Sequence, residues 1–215
     1  MRKFFDQELN KLQESLLKMG AMVEDVIDLA INSLINQDIK KAGEVIKLDD
    51  KVDDIEVEIE KKCLELIVLQ QPRAKDLRKI SSILKIITDL ERIGDHGVNI
   101  AKITKKIGNE EFIKPLVDIP KMAELAKKMV KNSINSFLNE DIDLAKEVAI
   151  MDDEVDDIYE SIYVELLEML SENKDIMEQV TYLLFIGRYL ERIGDHTTNI
   201  CERIIYMVDG ERMSY

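Results

Sequence analysis

Glycine and proline are scarce in this chain, at 8 and 3 of 215 residues. So little turn-forming material leaves few breaks in regular structure. With 46% hydrophobic and 34% charged residues, the balance reads as mostly helical, with enough apolar material for a sizeable core. Cysteine occurs only twice, at Cys63 and Cys201, without the spacing of a thiolate metal site. Both read as small buried hydrophobes of a reducing compartment. The longest apolar run, Tyr182 to Gly187, is far too short to cross a bilayer. The opening MRKFFDQELN lacks the apolar segment of a signal peptide. Basic residues are also few: 30 Lys and Arg against 44 Asp and Glu give a formal net charge of −14. A chain this acidic is repelled by phosphate backbones, which argues against nucleic acid as a partner. The expectation is a soluble, cytoplasmic, all-α protein.

What is present is an internal duplication. The hexapeptide ERIGDH occurs at 91–96 and again at 191–196, and it holds both histidines of the chain, His96 and His196. Residues 91–104 align with 191–204, one hundred positions on. Upstream, NQDIKKAGEVIKLDDKVDDIE (36–56) aligns with NEDIDLAKEVAIMDDEVDDIY (139–159) at an offset of 103, so the second copy has lost three residues in between. Each copy reads as three helices. In the first they cover about 4–36, 38–70 (with Asp38 as N-cap) and 72–108 (with Pro72 in the first turn and Gly108 as the stop). In the second they cover about 120–138, 141–172 and 174–208. The expected architecture is two tandem antiparallel three-helix bundles, 1–108 and 120–215, joined by a Pro-containing linker at 109–119. Met122 and Met129 read as ordinary core. The stretch around Met207 and Met213 is a possible partner surface.

The acidic residues carry the chemistry. The second helix has an apolar seam at Val45, Leu48, Val52, Ile55 and Ile59, and Asp49 and Asp53 stack one turn apart along its edge. Asp152 and Asp156 repeat the pair. Asp50/Asp54 and Asp153/Asp157 turn further toward solvent and read as a wet face. On the third helix the seam runs Ile80, Leu84, Ile87, Glu91, Gly94, Val98 and Ala101, so Glu91 falls on it, with Asp95 and Asn99 one and two turns on. Glu191, Asp195 and Asn199 hold the same places in the second copy. A carboxylate on a packing seam is costly without compensation. Gly94 and Gly194 in mid-helix suggest that something approaches the backbone there. Pairing of the carboxylates with Lys, Arg92 or Arg192 on a wet face is the bland account. The other acids are not all kept: Glu56 becomes Tyr159 and Asp89 becomes Tyr189. Facing carboxylates from two helices make an oxygen-rich site suited to Mg, Ca, Mn or iron. His96 and His196 point about 100° away from the aspartates. The Glu-to-His spacing of five also differs from the Glu-x-x-His of di-iron oxidase bundles.

The combination of LDDKVDD, QQPRAKDLR and DLERIGDHGVNIA with MDDEVDD and YLERIGDHTTNI resembles the PhoU family of phosphate-transport regulators along the whole chain. The second copy lacks a QQP-x-A-x-DLR equivalent. The resemblance implies a repeated three-helix bundle, a tendency to dimerise, and no enzymatic activity. It implies multinuclear clusters of divalent or trivalent metal, bound by Asp49, Asp53, Glu91 and Asp95 and by Asp152, Asp156, Glu191 and Asp195, with Asn99 and Asn199 as further candidates. It also implies a cytoplasmic role beside the ATPase subunit of a phosphate ABC transporter and a sensor histidine kinase, damping uptake and starvation signalling, with the membrane reached only through those partners. Two readings remain beside it: a metal-dependent phosphoester hydrolase using the clustered carboxylates, and a purely structural bundle with solvated acidic faces.

Overall fold

A computed structural model describes residues 2–210. Among the described residues the chain forms six α-helices: α1 (Arg2–Ile35), α2 (Ile39–Gln70), α3 (Ala74–Ile107), α4 (Asp118–Asn139), α5 (Ile142–Glu172) and α6 (Met177–Asp209), with a 3-10 turn at Lys174–Ile176 before α6. Met213 lies outside the described residues.

The duplication is legible down to the turns. Asp38 and Asp141 cap α2 and α5, Asp38 accepting from the Lys40 and Lys41 N–H groups and Asp141 from that of Leu144. The preceding residues, Gln37 and Glu140, both take positive φ, at 51° and 53°. The second helical junctions differ. Gln71 ends α2 in a left-handed conformation, Pro72 lies outside regular structure, and Arg73 is extended before α3 starts at Ala74. Pro72 therefore sits in the connection and not in the first turn of the helix. Residues 71–73 have no counterpart in the second copy, where Asn173 caps the 3-10 turn through the N–H of Asp175. These are the three residues the second copy lacks.

The two bundles do not stand apart. α1 packs on α4 and α3 on α6, so one continuous core runs through both copies. Asp89 meets His196, His96 meets Tyr189, and Ser82 donates to the Arg203 carbonyl. Position numbers fall on α6 as they rise on α3, so the pair is antiparallel and related by a pseudo-twofold axis. This explains why α3 is buried on more than one side: Ile83, Ile86, Leu90, Ile93 and Ile100 join the seam expected from its sequence. Met122 and Met129 are core, and so is Met207, which therefore presents no partner surface. At the equivalent positions of α1 and α4, Glu24, Asp25 and Asp28 stand where Lys127, Lys128 and Lys131 stand in the second copy. The antiparallel packing sets these opposite charges face to face. Lys127 Nζ is 2.7 Å from Asp28, and Glu24 feels Lys131 and Lys127.

The linker is fastened at both ends. Gln179 receives the Ile113 N–H and donates to the Glu111 carbonyl, and Lys114 pairs with Glu165. None of the described helices is long and apolar enough to cross a membrane.

Candidate metal centres

Each copy places a carboxylate inside the helix–helix contact. The buried stripe of α2 runs Ala42, Val45, Asp49, Val52, Ile59, Cys63. Asp49 thus lies on the seam itself, whereas Leu48, which the pattern put there, is half-buried. Asp49 is only 7% exposed, and its Oδ1 is buried without a hydrogen-bond partner. It sits against α3 where Gly94 leaves room. A Cβ built on Gly94 would overlap Asp49 Oδ1, and one on Gly194 would overlap Asp152 Oδ1, which is likewise unpartnered. The close approach that a mid-helix glycine suggested is therefore that of a carboxylate.

Around each buried aspartate the others gather. Burial and the neighbouring charges of Asp53, Asp95 and Glu91 push the Asp49 carboxyl up to about 7. Burial, Asp156, Asp195 and Glu191 do the same for Asp152, also to about 7. Glu91 and Glu191 are raised as well, first by burial and then by Asp95 and Asp195. Glu191 Oε2 is a third buried carboxylate oxygen with no partner. Asp53, Asp156 and Asp195 are exposed on the rim. Asn99 and Asn199 lie a turn beyond, and among the described residues no hydrogen bond joins them to the carboxylates.

Guanidinium groups hold part of each cluster. Arg92 Nη1 is 3.0 Å from Asp95 and its Nε 3.3 Å from Glu91. In the second copy it is Arg188, not Arg192, that pairs with Glu191. With the carboxylates turned to these side chains, no group of three or more His, Cys, Asp or Glu among the described residues converges closely enough to hold one ion. The donor set nonetheless fits hard cations. It is all oxygen, it carries unpartnered buried oxygens, and its negative charges repel one another, which is what a bound cation neutralises.

The histidines belong elsewhere. His96 stacks on Tyr189 at 5.6 Å between ring centroids and lies 5.6 Å from His196. His196 Nδ1 is 3.0 Å from Asp89. Position 89 of one copy thus faces position 96 of the other. The Asp89/Tyr189 difference reflects two solutions to one pseudo-symmetric contact, a charge-assisted hydrogen bond on one side and a ring stack on the other. Burial keeps His96 neutral, pulling its pKa down to about 4.

Sequence pattern alone passed over two residues at the rim. Glu56 lies near Glu91 and hydrogen-bonds Thr88, and Tyr159 takes its place beside Glu191 and Arg188. Their signal was the difference between the copies.

The PhoU domain model matches residues 16–104 and 119–204, once on each bundle. The chain belongs to the PhoU family. It is 44% identical to the phosphate-specific transport system accessory protein PhoU homolog of Clostridium acetobutylicum, over 99% of this chain and 97% of that protein. It is 42% identical to the homolog of Aquifex aeolicus, over 95% and 93%. The crystal structure of PhoU from Pseudomonas aeruginosa superposes with a TM-score of 0.92 at 36% identity, covering 96% of this chain and all of that one. The phosphate transport system regulatory protein PhoU from Streptococcus pneumoniae gives 0.91 at 29% identity, covering 98% of this chain and all of that one.

Proposed function

We propose that this PhoU-family chain is a cytoplasmic regulator that restrains a phosphate-specific transporter and phosphate-starvation signalling when phosphate is plentiful. The observation that carries the reading is full-length similarity, both bundles included, to proteins described as accessory to phosphate-specific transport. It works by contact and not by turnover, as a homodimer, touching the transporter's ATPase subunit and a sensor histidine kinase. It reaches the membrane through them.

Each bundle binds cations as part of this role. Asp49, Asp53, Glu91 and Asp95 would hold them in the first copy, and Asp152, Asp156, Glu191 and Asp195 in the second. The cations supply charge neutralisation, and the chain supplies a preformed acidic seam that only the folded state presents. Arg92 and Arg188 must leave their carboxylates for this to happen, and both lie near the surface, free to swing outward.

Deleting the gene tests the reading. Starvation genes should stay switched on in phosphate-rich medium. Normal repression in the deletion strain, together with no binding of the purified chain to ATPase subunit or kinase, would refute it. Turnover of phosphoesters by the purified chain would favour the hydrolase instead.

A further inference from the structure

The two carboxylate clusters share their four acidic positions but not their rims. At the first rim Glu56 from α2 lies beside Thr88 and Glu91 of α3. At the second, the corresponding positions are Tyr159 and Arg188, and Arg188 is paired directly with Glu191. The exchange is accommodated in the packing. The Tyr159 ring lies over Gly187, where a Cβ would stand 2.9 Å from Tyr159 Cδ2, and the first copy has Ile87 at that position.

Both differences act in one direction. The first cluster has five carboxylates, Asp49, Asp53, Glu56, Glu91 and Asp95, against the one guanidinium of Arg92, which leaves four negative charges. The second has four carboxylates, Asp152, Asp156, Glu191 and Asp195, against Arg188 and Arg192, which leaves two. Arg188 acts across the helix pair on Asp156 as Arg92 acts on Asp53, so the second site differs by having a further arginine, Arg192, beside Glu191. Arg188 is a tethered positive charge paired with one of the proposed ligands.

Building on the proposed metal sites, we infer that the two copies bind cations unequally: the α2/α3 site, with Glu56 and without an arginine at position 88, is the tight site, and the α5/α6 site, with Arg188 and Tyr159, is the weak one. The difference suits a protein that stays half-loaded. The tight site stabilises the fold at low cation, and the weak site responds to changes in cation level. Ligand charge count is a main determinant of a cation site's affinity. Two unit charges a few ångströms from a divalent ion in a partly buried setting change its affinity by well over tenfold.

The experiment is titration of the full-length, chelator-treated chain with Mn²⁺, followed by isothermal calorimetry and by the fraction of free Mn²⁺ in electron paramagnetic resonance. Asp49→Asn and Asp152→Asn each silence one site, so that the other is read alone. With the α5/α6 site silenced, the remaining site should bind at least about tenfold tighter than its counterpart does when α2/α3 is silenced. Glu56→Gln should weaken the first site by several-fold, and Arg188→Gln should tighten the second. Both changes are near-isosteric, and thermal melting of each variant confirms the fold. Two sites of equal affinity, or affinities indifferent to Glu56→Gln and Arg188→Gln, overturn the inference while leaving the sites in place. Absence of Mn²⁺ binding in the unmodified chain overturns the sites themselves, and the inference with them.

Discussion

The Oδ1 atom of Asp49 occupies the space that a side chain at Gly94 would need, and Asp152 stands in the same relation to Gly194. A carboxylate is thereby pressed against a helix backbone with one oxygen unpartnered. Glycine in mid-helix ordinarily costs up to about 1 kcal/mol relative to alanine. Here Gly94→Ala should reverse that sign, destabilising by roughly 1–3 kcal/mol through overpacking. Denaturant midpoints check this. Asp49→Ala in the same chain should remove most of the penalty, because the two side chains compete for one space.

Stability should depend on pH in a defined direction when cations are chelated. Asp49 and Asp152 have folded pKa values near 7, well above their unfolded values. A carboxyl that is harder to ionise in the folded chain binds more protons there. Its contribution to stability is therefore present at low pH and lost as pH rises through about 7. His96, lowered to about 4 by burial, works the other way, because its neutral form is favoured by folding and acid removes that contribution below its unfolded pKa. The aspartate effect acts between the unfolded value near 4 and about 7 and levels off above that, while His96 offsets part of it below about 6.5. Within that window each carboxyl can contribute a slope of up to about 1.4 kcal/mol per pH unit. Unfolding free energies across this range should fall with pH, and Asp49→Asn with Asp152→Asn should flatten the profile.

Much of this was legible in the sequence. Helix number, the Asp38 cap, the three-residue difference between the copies and the repeated positions of the acidic residues followed from the repeat and the periodicity. The exact seam did not. Asp49 replaces Leu48 in the buried stripe because the space beside Gly94 admits a carboxylate, and periodicity cannot weigh a glycine on a different helix. Nor did the single seam read on the third helix show that the bundles pack through α1/α4 and α3/α6, since periodicity within one copy does not name the partner of a second face. The roles of Asp89 and Glu56 lay in residues that the repeat comparison set aside, because a difference between copies becomes informative only when the partner across the pseudo-twofold is known.

The Asp89–His196 hydrogen bond ties the two copies at the centre of the α3/α6 contact, with both side chains mostly shielded from water. Asp89→Ala leaves a half-buried imidazole without its partner and should cost about 1 kcal/mol. Thermal or chemical unfolding measures it. The equivalent change on the stacked side, Tyr189→Phe, keeps the ring and should be nearly silent.

Across α1 and α4, reversing the charges of Lys127 and Lys131 to Glu sets like charges opposite Asp28 and Glu24. These pairs are near the surface, so each should contribute no more than about 1 kcal/mol, and less at high salt. Reversing Glu24 and Asp28 to Lys in the same chain should restore the loss. A double-mutant cycle at low and at high ionic strength gives the coupling directly.

The central claim is that the buried carboxylates are cation ligands. The most direct measurement is the thermal unfolding midpoint of the chelator-treated full-length chain at pH 8, with and without millimolar Mn²⁺, beside Asp49→Asn/Asp152→Asn. Cation bound only by the folded state should raise the midpoint of the unmodified chain by several degrees, and leave the double variant unmoved. Equal midpoints with and without Mn²⁺ in the unmodified chain, or an equal rise in the double variant, would contradict the account.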